Sequence, residues 1–310
     1  MRLLNSFFLL STLLFSTPAL FAQEDGATFS VDSRLVVLHA SVVDKGGKLL
    51  TDLPQKAFKV LENGVEQQIR MFRREDVPVS LCLVIDDSGS MRDKRAKVAA
   101  AALNLVKASN KNDEVCIVNF NDDAYLDQPF TNSISRLEQA LEKIESRGGT
   151  AMRDAVSMSI DYQKKDAKKD KKVVLIITDG DDTASTETLE RLVAKCQRSE
   201  VLIYAIGILT EEEARRAKAA KRNLVMLAKE SGGMAFFPKD LVEVEALAIQ
   251  IANEIRNQYI ITYVPTAQKL DGSYRAIKVL ATGKGTPVVR TRSGYFATAD
   301  IKAPAKVSLK

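Results

Sequence analysis

Asp86, Ser88 and Ser90 bring three oxygen-bearing side chains together directly after an apolar run, in the stretch VIDDSGSM (84–91). A tight turn points alternate side chains the same way, so one carboxylate and two hydroxyls with the spacing D-x-S-x-S can converge. Hard cations such as Mg²⁺ take oxygen ligands in near-octahedral geometry at about 2.0–2.1 Å. Three such groups make an incomplete cation site, so further oxygens have to come from elsewhere in the chain.

Two other turns carry suitable oxygens. KVVLIITDG ends an apolar run at Asp179, and SRGGTAMRDA places Thr150 after two glycines and before a helical pattern. Binding sites in open parallel sheets form beyond the carboxyl ends of the strands, which is where we expect both residues to lie. The sequence therefore predicts one divalent-cation site built from Asp86, Ser88, Ser90, Thr150 and Asp179.

The elements that must position these residues fill the middle of the chain, about residues 78–257. Continuous apolar runs alternate there with amphipathic helical patterns, which indicates an α/β fold with a parallel sheet covered on both faces. The pattern predicts strands at 80–86, 114–120, 124–130, 172–179, 201–208 and 234–238. It predicts helices at 92–109, 133–146, 151–165, 186–198, 222–230 and 240–257.

The motifs DDSGSM, GGT and TDG, in this order, resemble the metal-ion-dependent adhesion site (MIDAS) of the von Willebrand factor type A (VWFA) domain. All five ligand positions of that family are matched, and the resemblance covers residues 78–257. It implies a doubly wound, mostly parallel six-stranded Rossmann-like sheet, with AYLDQPF (124–130) as its antiparallel edge strand. It also implies a bound Mg²⁺, or Mn²⁺ or Ca²⁺ instead, and recognition of a protein through that ion.

Strand patterns flank this region at residues 29–76 and 258–297. Asn63-Gly64 separates two strand-like runs and favours a tight hairpin, because both residues tolerate positive φ. About three strands on each side are marginal for an independent core. We therefore predict that the two flanks pair into one smaller β-sandwich, with the α/β domain inserted between them and residues 298–310 forming a loose tail.

The flanks also carry a second resemblance. The hairpin LENGV and the ending DGSYRAIKV…RTRSGYF are similar to the VWFA-related domain proteins secreted by acidobacteria. This resemblance covers the whole chain, but its motifs are less specific than the five ligand positions.

The first residues predict export. MRLLNSFFLLSTLLFSTPALFA (1–22) has Arg2, an apolar core and a small-residue end, as in a signal peptide cut after Ala22. A membrane anchor is the alternative, which Pro18 and the polar residues after Ala22 disfavour. No later stretch approaches the ~20 apolar residues of a membrane span, so we expect a periplasmic or secreted protein without an integral membrane segment.

Composition disfavours a nucleic-acid partner. The net charge is +5 with basic and acidic residues interspersed, and the chain has 6% aromatic residues and no Trp. The run KKDAKKDKK (164–172) could mark a polyanion site, but a solvated loop is the favoured interpretation. The three cysteines fit small buried residues, with a Cys82–Cys116 bridge as the alternative.

We interpret the predicted site as one for recognition, not turnover. An ion held by two carboxylates stays electrophilic and can accept a Glu or Asp carboxylate from a protein partner. The first alternative is a metal-dependent phosphoryl-transfer hydrolase, but Ser88 stands where aspartate phosphatases carry a second acid. The second is a metal-free structural envelope module, in which Ser88, Ser90 and Thr150 cap helices and Asp179 stabilises a turn. The only histidine, His39, lies alone on a predicted strand, which excludes a Ser-His-Asp hydrolase.

Overall fold

The computed structural model describes residues 35–74, 76–142, 146–209 and 214–298. The predicted signal peptide and residues 299–310 of the predicted tail lie outside these ranges. Within them, no helix combines the length and the apolar character that a bilayer crossing requires.

The centre of the fold is a six-stranded sheet with strand order β10-β9-β8-β5-β6-β7. Five strands are parallel, and β7 pairs with β6 in the antiparallel direction at one edge, which confirms the predicted edge strand. The strands are β5 (Val79–Asp86), β6 (Glu114–Phe120), β7 (Ala124–Thr131), β8 (Lys171–Thr178), β9 (Val201–Gly207) and β10 (Ala235–Phe236).

Helices cover both faces of this sheet, so the doubly wound α/β class is confirmed. The helices α1 (Arg95–Lys107), α2 (Ile134–Glu142) and α6 (Glu243–Arg256) pack on one face. The helices α3 (Met152–Asp166), α4 (Leu189–Arg198) and α5 (Ala214–Ser231) pack on the other. Every residue of β5 is buried because alternate side chains enter the two cores, which explains its uninterrupted apolar sequence.

Helix α5 starts well before the predicted 222–230. Its first half, ARRAKAAKR, lacks a clear apolar stripe, but it consists of residues with high helix propensity. The cysteines lie buried in the cores as free thiols, although Cys82 and Cys116 are direct neighbours on β5 and β6.

The two flanks combine into a β-sandwich, as predicted. Its sheets have the strand orders β13-β1-β11-β4 and β14-β12-β2-β3, so each sheet contains strands from both ends of the chain. A separate apolar core lies between them. The strands are β1 (Val36–Val43), β2 (Phe58–Glu62), β3 (Val65–Gln67), β4 (Ile69–Arg73), β11 (Tyr259–Tyr263), β12 (Tyr274–Ala281), β13 (Val288–Arg290) and β14 (Gly294–Phe296).

The run PVVRTRSGYF (287–296) has the pattern of a single strand in the sequence, but it does not form one. The segment forms two short strands: β13 pairs with β1, and β14 pairs with β12 of the other sheet. Gly294 permits the crossing, because a Cβ at this position would lie 2.4 Å from the Arg275 carbonyl oxygen. Such a close approach of two backbones was not visible in the apolar pattern.

Glu62 joins the two flanks inside the sandwich. This carboxylate is 3% exposed, and its Oε2 accepts hydrogen bonds from the hydroxyls of Tyr263 at 2.7 Å and Tyr295 at 3.0 Å. Glu62 belongs to the amino-terminal flank and both tyrosines belong to the carboxyl-terminal flank. The network therefore stabilises the pairing across the inserted domain.

We expect Tyr263→Phe to lower the free energy of unfolding by about 1.5–3 kcal/mol, because it removes a buried hydrogen bond to a charged group. Urea unfolding measures the change. Tyr274→Phe is the matched control, since the hydroxyl of Tyr274 forms its hydrogen bond with an uncharged group, the hydroxyl of Ser293, at 2.8 Å. An equal decrease in the free energy of unfolding in both variants would show that the hydrogen bond to Glu62 contributes no more stability than an ordinary hydroxyl–hydroxyl bond.

Candidate functional site

Asp86 is the last residue of β5 and lies at the carboxyl edge of the central sheet. Its side chain is buried; Oδ1 accepts a hydrogen bond from the Ser88 backbone N–H at 2.9 Å, and Oδ2 accepts one from the Thr178 hydroxyl at 2.5 Å. Thr178 ends the neighbouring strand β8, so this bond joins two strand ends. Burial raises the pKa of Asp86 to about 6, although the hydrogen bonds from Ser88 and Thr178 act in the opposite direction.

Ser88, Ser90 and Asp179 continue from Asp86 as a chain of contacting side chains. The hydroxyl oxygens of Ser88 and Ser90 are 3.1 Å apart, and the Ser90 hydroxyl donates to Asp179 Oδ1 at 2.8 Å. A single 3₁₀ turn, Gly89–Met91, brings the two serines side by side. Four of the five predicted residues are thus linked at one strand edge, although Asp179 is 89 residues from Ser90.

Thr150 reaches the same edge through its backbone. The loop before it is fastened to the serine turn by a hydrogen bond from Gly89 N–H to the Gly148 carbonyl at 3.2 Å. On its other side, Thr150 N–H donates to the Thr183 hydroxyl at 3.1 Å, and its carbonyl accepts from Thr183 N–H at 2.9 Å. The structure therefore places Thr150 between the Asp86 turn and the loop after β8, while its hydroxyl has no hydrogen bond to the other four residues.

Asp122 explains the two glycines before Thr150. Its Oδ1 accepts the Gly149 N–H at 2.7 Å, and a Cβ on Gly148 would lie 2.2 Å from its Oδ2. Gly148 also has a φ of +72°, which disfavours other residues. Asp122 was not among the predicted site residues, although the polar turn Asn121-Asp122-Asp123 directly after β6 marks the end of a strand.

Lys94 is a further residue of the site that the sequence analysis missed. Its ammonium group forms a short ion pair with Asp179 Oδ2. The Asp179 side chain is 1% exposed and the Lys94 side chain 18% exposed, so the contact is largely shielded from water. Its position four residues after Ser90, directly before helix α1, was the signal that could have identified it. The buried charge of Asp179 is balanced by this internal cation.

Asp87, which directly follows Asp86, is buried on the side of the edge strand β7. Its Oδ2 accepts a hydrogen bond from the Tyr125 hydroxyl at 3.1 Å, and its backbone binds Phe120 and Arg147. Burial raises the pKa of Asp87. Burial also raises the pKa of Tyr125 to about 12, with a further contribution from the Asp87 carboxylate.

Two acids connect the start of α3 to the loop after β8. Asp182 accepts hydrogen bonds from the backbone N–H of Arg153 at 2.7 Å and from its guanidinium at 3.0 Å. Asp154 accepts the backbone N–H groups of Thr186 and Glu187 at 2.9 and 2.7 Å. Because α3 starts directly after Thr150, these contacts hold the Thr150 loop against the segment that carries Asp179.

The chemistry of this edge suits a hard divalent cation. The five predicted residues offer two carboxylates and three hydroxyls, which are oxygen ligands of the kind that Mg²⁺ prefers. Within the described ranges, this edge included, no three His, Cys, Asp or Glu side chains come together in an arrangement that could hold a metal, so the serine and threonine hydroxyls would have to supply the other ligands here. The residues present therefore fit the ion that the sequence predicted.

Comparison with known proteins agrees with this architecture. The family model of the von Willebrand factor type A domain matches residues 80–250. Integrin alpha-11 of Mus musculus is 32% identical over 102 residues, which are 31% of this chain and 8% of the integrin. The "uncharacterized protein sll0103" of Synechocystis is 28% identical over 110 residues, which are 34% of this chain and 26% of that protein. The chain thus spans about a quarter or less of these relatives.

A solved structure, that of a von Willebrand factor type A protein from Catenulispora acidiphila, shares the fold. It has a TM-score of 0.50 at 13% sequence identity, and the match covers 88% of this chain and 76% of that one. The coverage extends beyond the central sheet into the flanks. With the six-stranded sheet, its antiparallel edge and a family match over more than half of its length, the chain belongs to the von Willebrand factor type A domain family.

Proposed function

We propose that this protein is an exported, non-enzymatic binding module that recognises an acidic group of a protein partner through a divalent ion. Asp86, Ser88, Ser90, Thr150 and Asp179 would hold the ion, with Mg²⁺ as the first candidate and Mn²⁺ or Ca²⁺ as alternatives. The observation that carries the proposal is the chain of contacts from Asp86 to Asp179, which runs through the Ser88 backbone N–H and the hydroxyls of Ser88 and Ser90 and joins distant segments at one strand edge.

The exposure of these residues suggests where a partner would approach. Asp86 and Ser88 are each 2% exposed, whereas Gly89 and Ser90 are open to solvent. An ion at this edge supplies positive charge on which a glutamate or aspartate carboxylate from outside can bind. The buried carboxylates and their hydrogen bonds hold the ligand oxygens in place before the partner arrives, which limits the entropy lost on binding.

The residue types at the site favour binding over catalysis. Ser88 occupies the position at which a phosphoryl-transfer enzyme of the aspartate type would need a second acid. His39 belongs to β1 of the sandwich, outside the site. Membership in a family that includes part of an integrin is consistent with a protein-binding role.

A pull-down from cell-envelope extracts, with this protein as bait, tests the proposal. We expect a partner to be retained in Mg²⁺, released by a chelator and retained again when Mg²⁺ is restored. Substitution of the partner's contacting Glu by Gln should abolish retention. A partner that stays bound in chelator would contradict the role of the ion.

A phosphatase assay with mixed phosphoesters in Mg²⁺ tests the hydrolase alternative. We expect no turnover above background. Turnover that disappears in Asp86→Asn would instead assign the site to a hydrolase.

A further inference from the structure

A cavity of about 430 Å³ lies at the opposite edge of the central sheet from Asp86. One wall is a face of the sandwich sheet, where strand register places Val37, Thr262 and Met71 in one row and His39, Ile260 and Arg73 in the next. The facing wall contains Lys171 and Leu202, near the starts of β8 and β9. The cavity therefore lies between the sandwich and the α/β domain.

Several polar atoms that line this cavity are buried without a hydrogen-bond partner among the described residues. Thr262, which is 5% exposed, and Arg292, which is 9% exposed, are the most buried of them. Buried polar atoms are nearly always hydrogen-bonded in folded proteins, so a concentration of exceptions at one cavity indicates a ligand. The unpartnered atoms are His39 Nδ1, Thr262 Oγ1, Thr291 Oγ1 and Arg292 Nε.

Positive charge predominates around the cavity. Four basic residues line it, namely Arg73, Lys171, Lys172 and Arg292, against two acidic ones, Asp170 and Glu200. Burial lowers the pKa of Lys171 to about 7, so this group carries only part of a charge near neutral pH, and it donates to the Ile255 carbonyl. The Lys172 ammonium donates to the Asp170 carbonyl at 3.4 Å. Burial, followed by the four nearby cations, lowers the pKa of His39 well below its usual value, so the imidazole is neutral.

Arg292 is the cation best placed to bind an anion. Its guanidinium lies over the Tyr295 ring at 5.6 Å from the centroid, a cation–π contact that does not require a hydrogen bond from the N–H groups. The edge of a guanidinium carries its N–H donors, which match carboxylate and phosphate oxygens. In the part of the chain that the structure describes, no acceptor forms a hydrogen bond with the N–H groups of the Arg292 side chain.

The remaining lining is apolar. Leu35, Val37, Met71, Val77, Leu202 and Ile260 supply hydrocarbon surface. Cavities of roughly 300–1,000 Å³ with apolar walls and a few convergent polar groups are typical small-molecule sites. A small inorganic anion would leave most of this volume and apolar surface uncovered.

We propose that this cavity binds an amphiphilic organic anion, with its carboxylate or phosphate group on Arg292 and the two threonine hydroxyls and its hydrocarbon part against the apolar wall. The site is separate from the proposed cation site and does not depend on it. It also gives a role to the end of the lysine-rich run 164–172, because Asp170, Lys171 and Lys172 line the cavity.

Isothermal titration of the full chain in chelator, with octanoate, octyl phosphate, acetate and inorganic phosphate as separate probes, tests the proposal. We expect at least one of the two amphiphiles to bind at least tenfold more tightly than acetate and inorganic phosphate. Which of the two binds better identifies the head group. Failure of both to bind, or equal affinity for inorganic phosphate, would overturn the proposal.

Two variants locate the binding. Arg292→Gln should weaken the binding of the preferred amphiphile at least tenfold, and Thr262→Val, which keeps the side-chain shape, should weaken it about fivefold. Arg198→Gln is the matched control: Arg198, the last residue of α4, also lies over an aromatic ring, that of Phe296, at 4.6 Å from the centroid, and it does not line the cavity. If Arg292→Gln does not fold, Thr262→Val decides; unchanged affinity in the variants that fold would refute this location.

Discussion

Asp86→Asn is expected to lower the affinity for Mg²⁺ by about a hundredfold or more while the protein stays folded. The substitution removes one of the two carboxylate charges of the proposed site. Mutation of groups that merely support metal ligands typically costs about 10–100-fold in affinity, so a direct ligand should cost at least the upper value. The fold should survive because an asparagine carbonyl can accept the Ser88 N–H, and its amide can donate to the Thr178 hydroxyl oxygen.

Isothermal titration with Mg²⁺ measures this effect, and thermal unfolding in chelator measures the fold. Asp123→Asn is the matched control, because Asp123 is an exposed acid close to the site. Its carboxylate forms no hydrogen bond or ion pair with the described residues. We expect the control to bind Mg²⁺ like the unmodified protein. Unchanged Mg²⁺ affinity in a folded Asp86→Asn variant would exclude Asp86 as a ligand and remove the basis of the proposed function.

Lys94→Met is expected to change the affinity in the opposite direction, by about tenfold to a hundredfold. The Lys94 ammonium contacts the carboxylate that would bind the ion, so the ion has to displace it from Asp179. Hydrogen bonds to charged groups contribute about 1.5–3 kcal/mol, and each 1.4 kcal/mol is about a factor of ten. Methionine has a similar length without the charge, and it therefore removes the competitor while keeping the packing.

The same substitution should make stability depend on the ion. Without Lys94, the Asp179 carboxylate is buried and uncompensated, which lowers the melting temperature in chelator. Mg²⁺ should restore it, because a ligand that binds only the folded state stabilises that state. Lys97→Met, at an exposed position in the first turn of α1, is the control and should change neither quantity. A Lys94→Met variant with weaker Mg²⁺ binding would show that Lys94 supports the site instead of competing for it.

Local patterns in the sequence determined the order of the elements and the candidate residues. A short, uninterrupted apolar run is typical of a central strand that is buried on both faces. The first polar residue after the run marks the end of that strand. The apolar run alone therefore predicts that Asp86 lies at a strand end, and local sequence predicts the Asn63-Gly64 turn in a similar way. Both positions are confirmed, the second by φ values of +49° and +83°.

Only the tertiary structure decided which charges and which backbones meet. Lys94 forms an ion pair with Asp179, and Asp122 accepts the N–H of Gly149. Each contact joins two distant segments, and the apolar pattern of one segment does not indicate which other segment it will meet. The division of residues 287–296 between two sheets depended on a backbone contact that only Gly294 tolerates. The cavity at Arg292 is a property of two packed surfaces. Pairwise proximity of this kind arises when the whole core is assembled, which is why it cannot be predicted from local sequence.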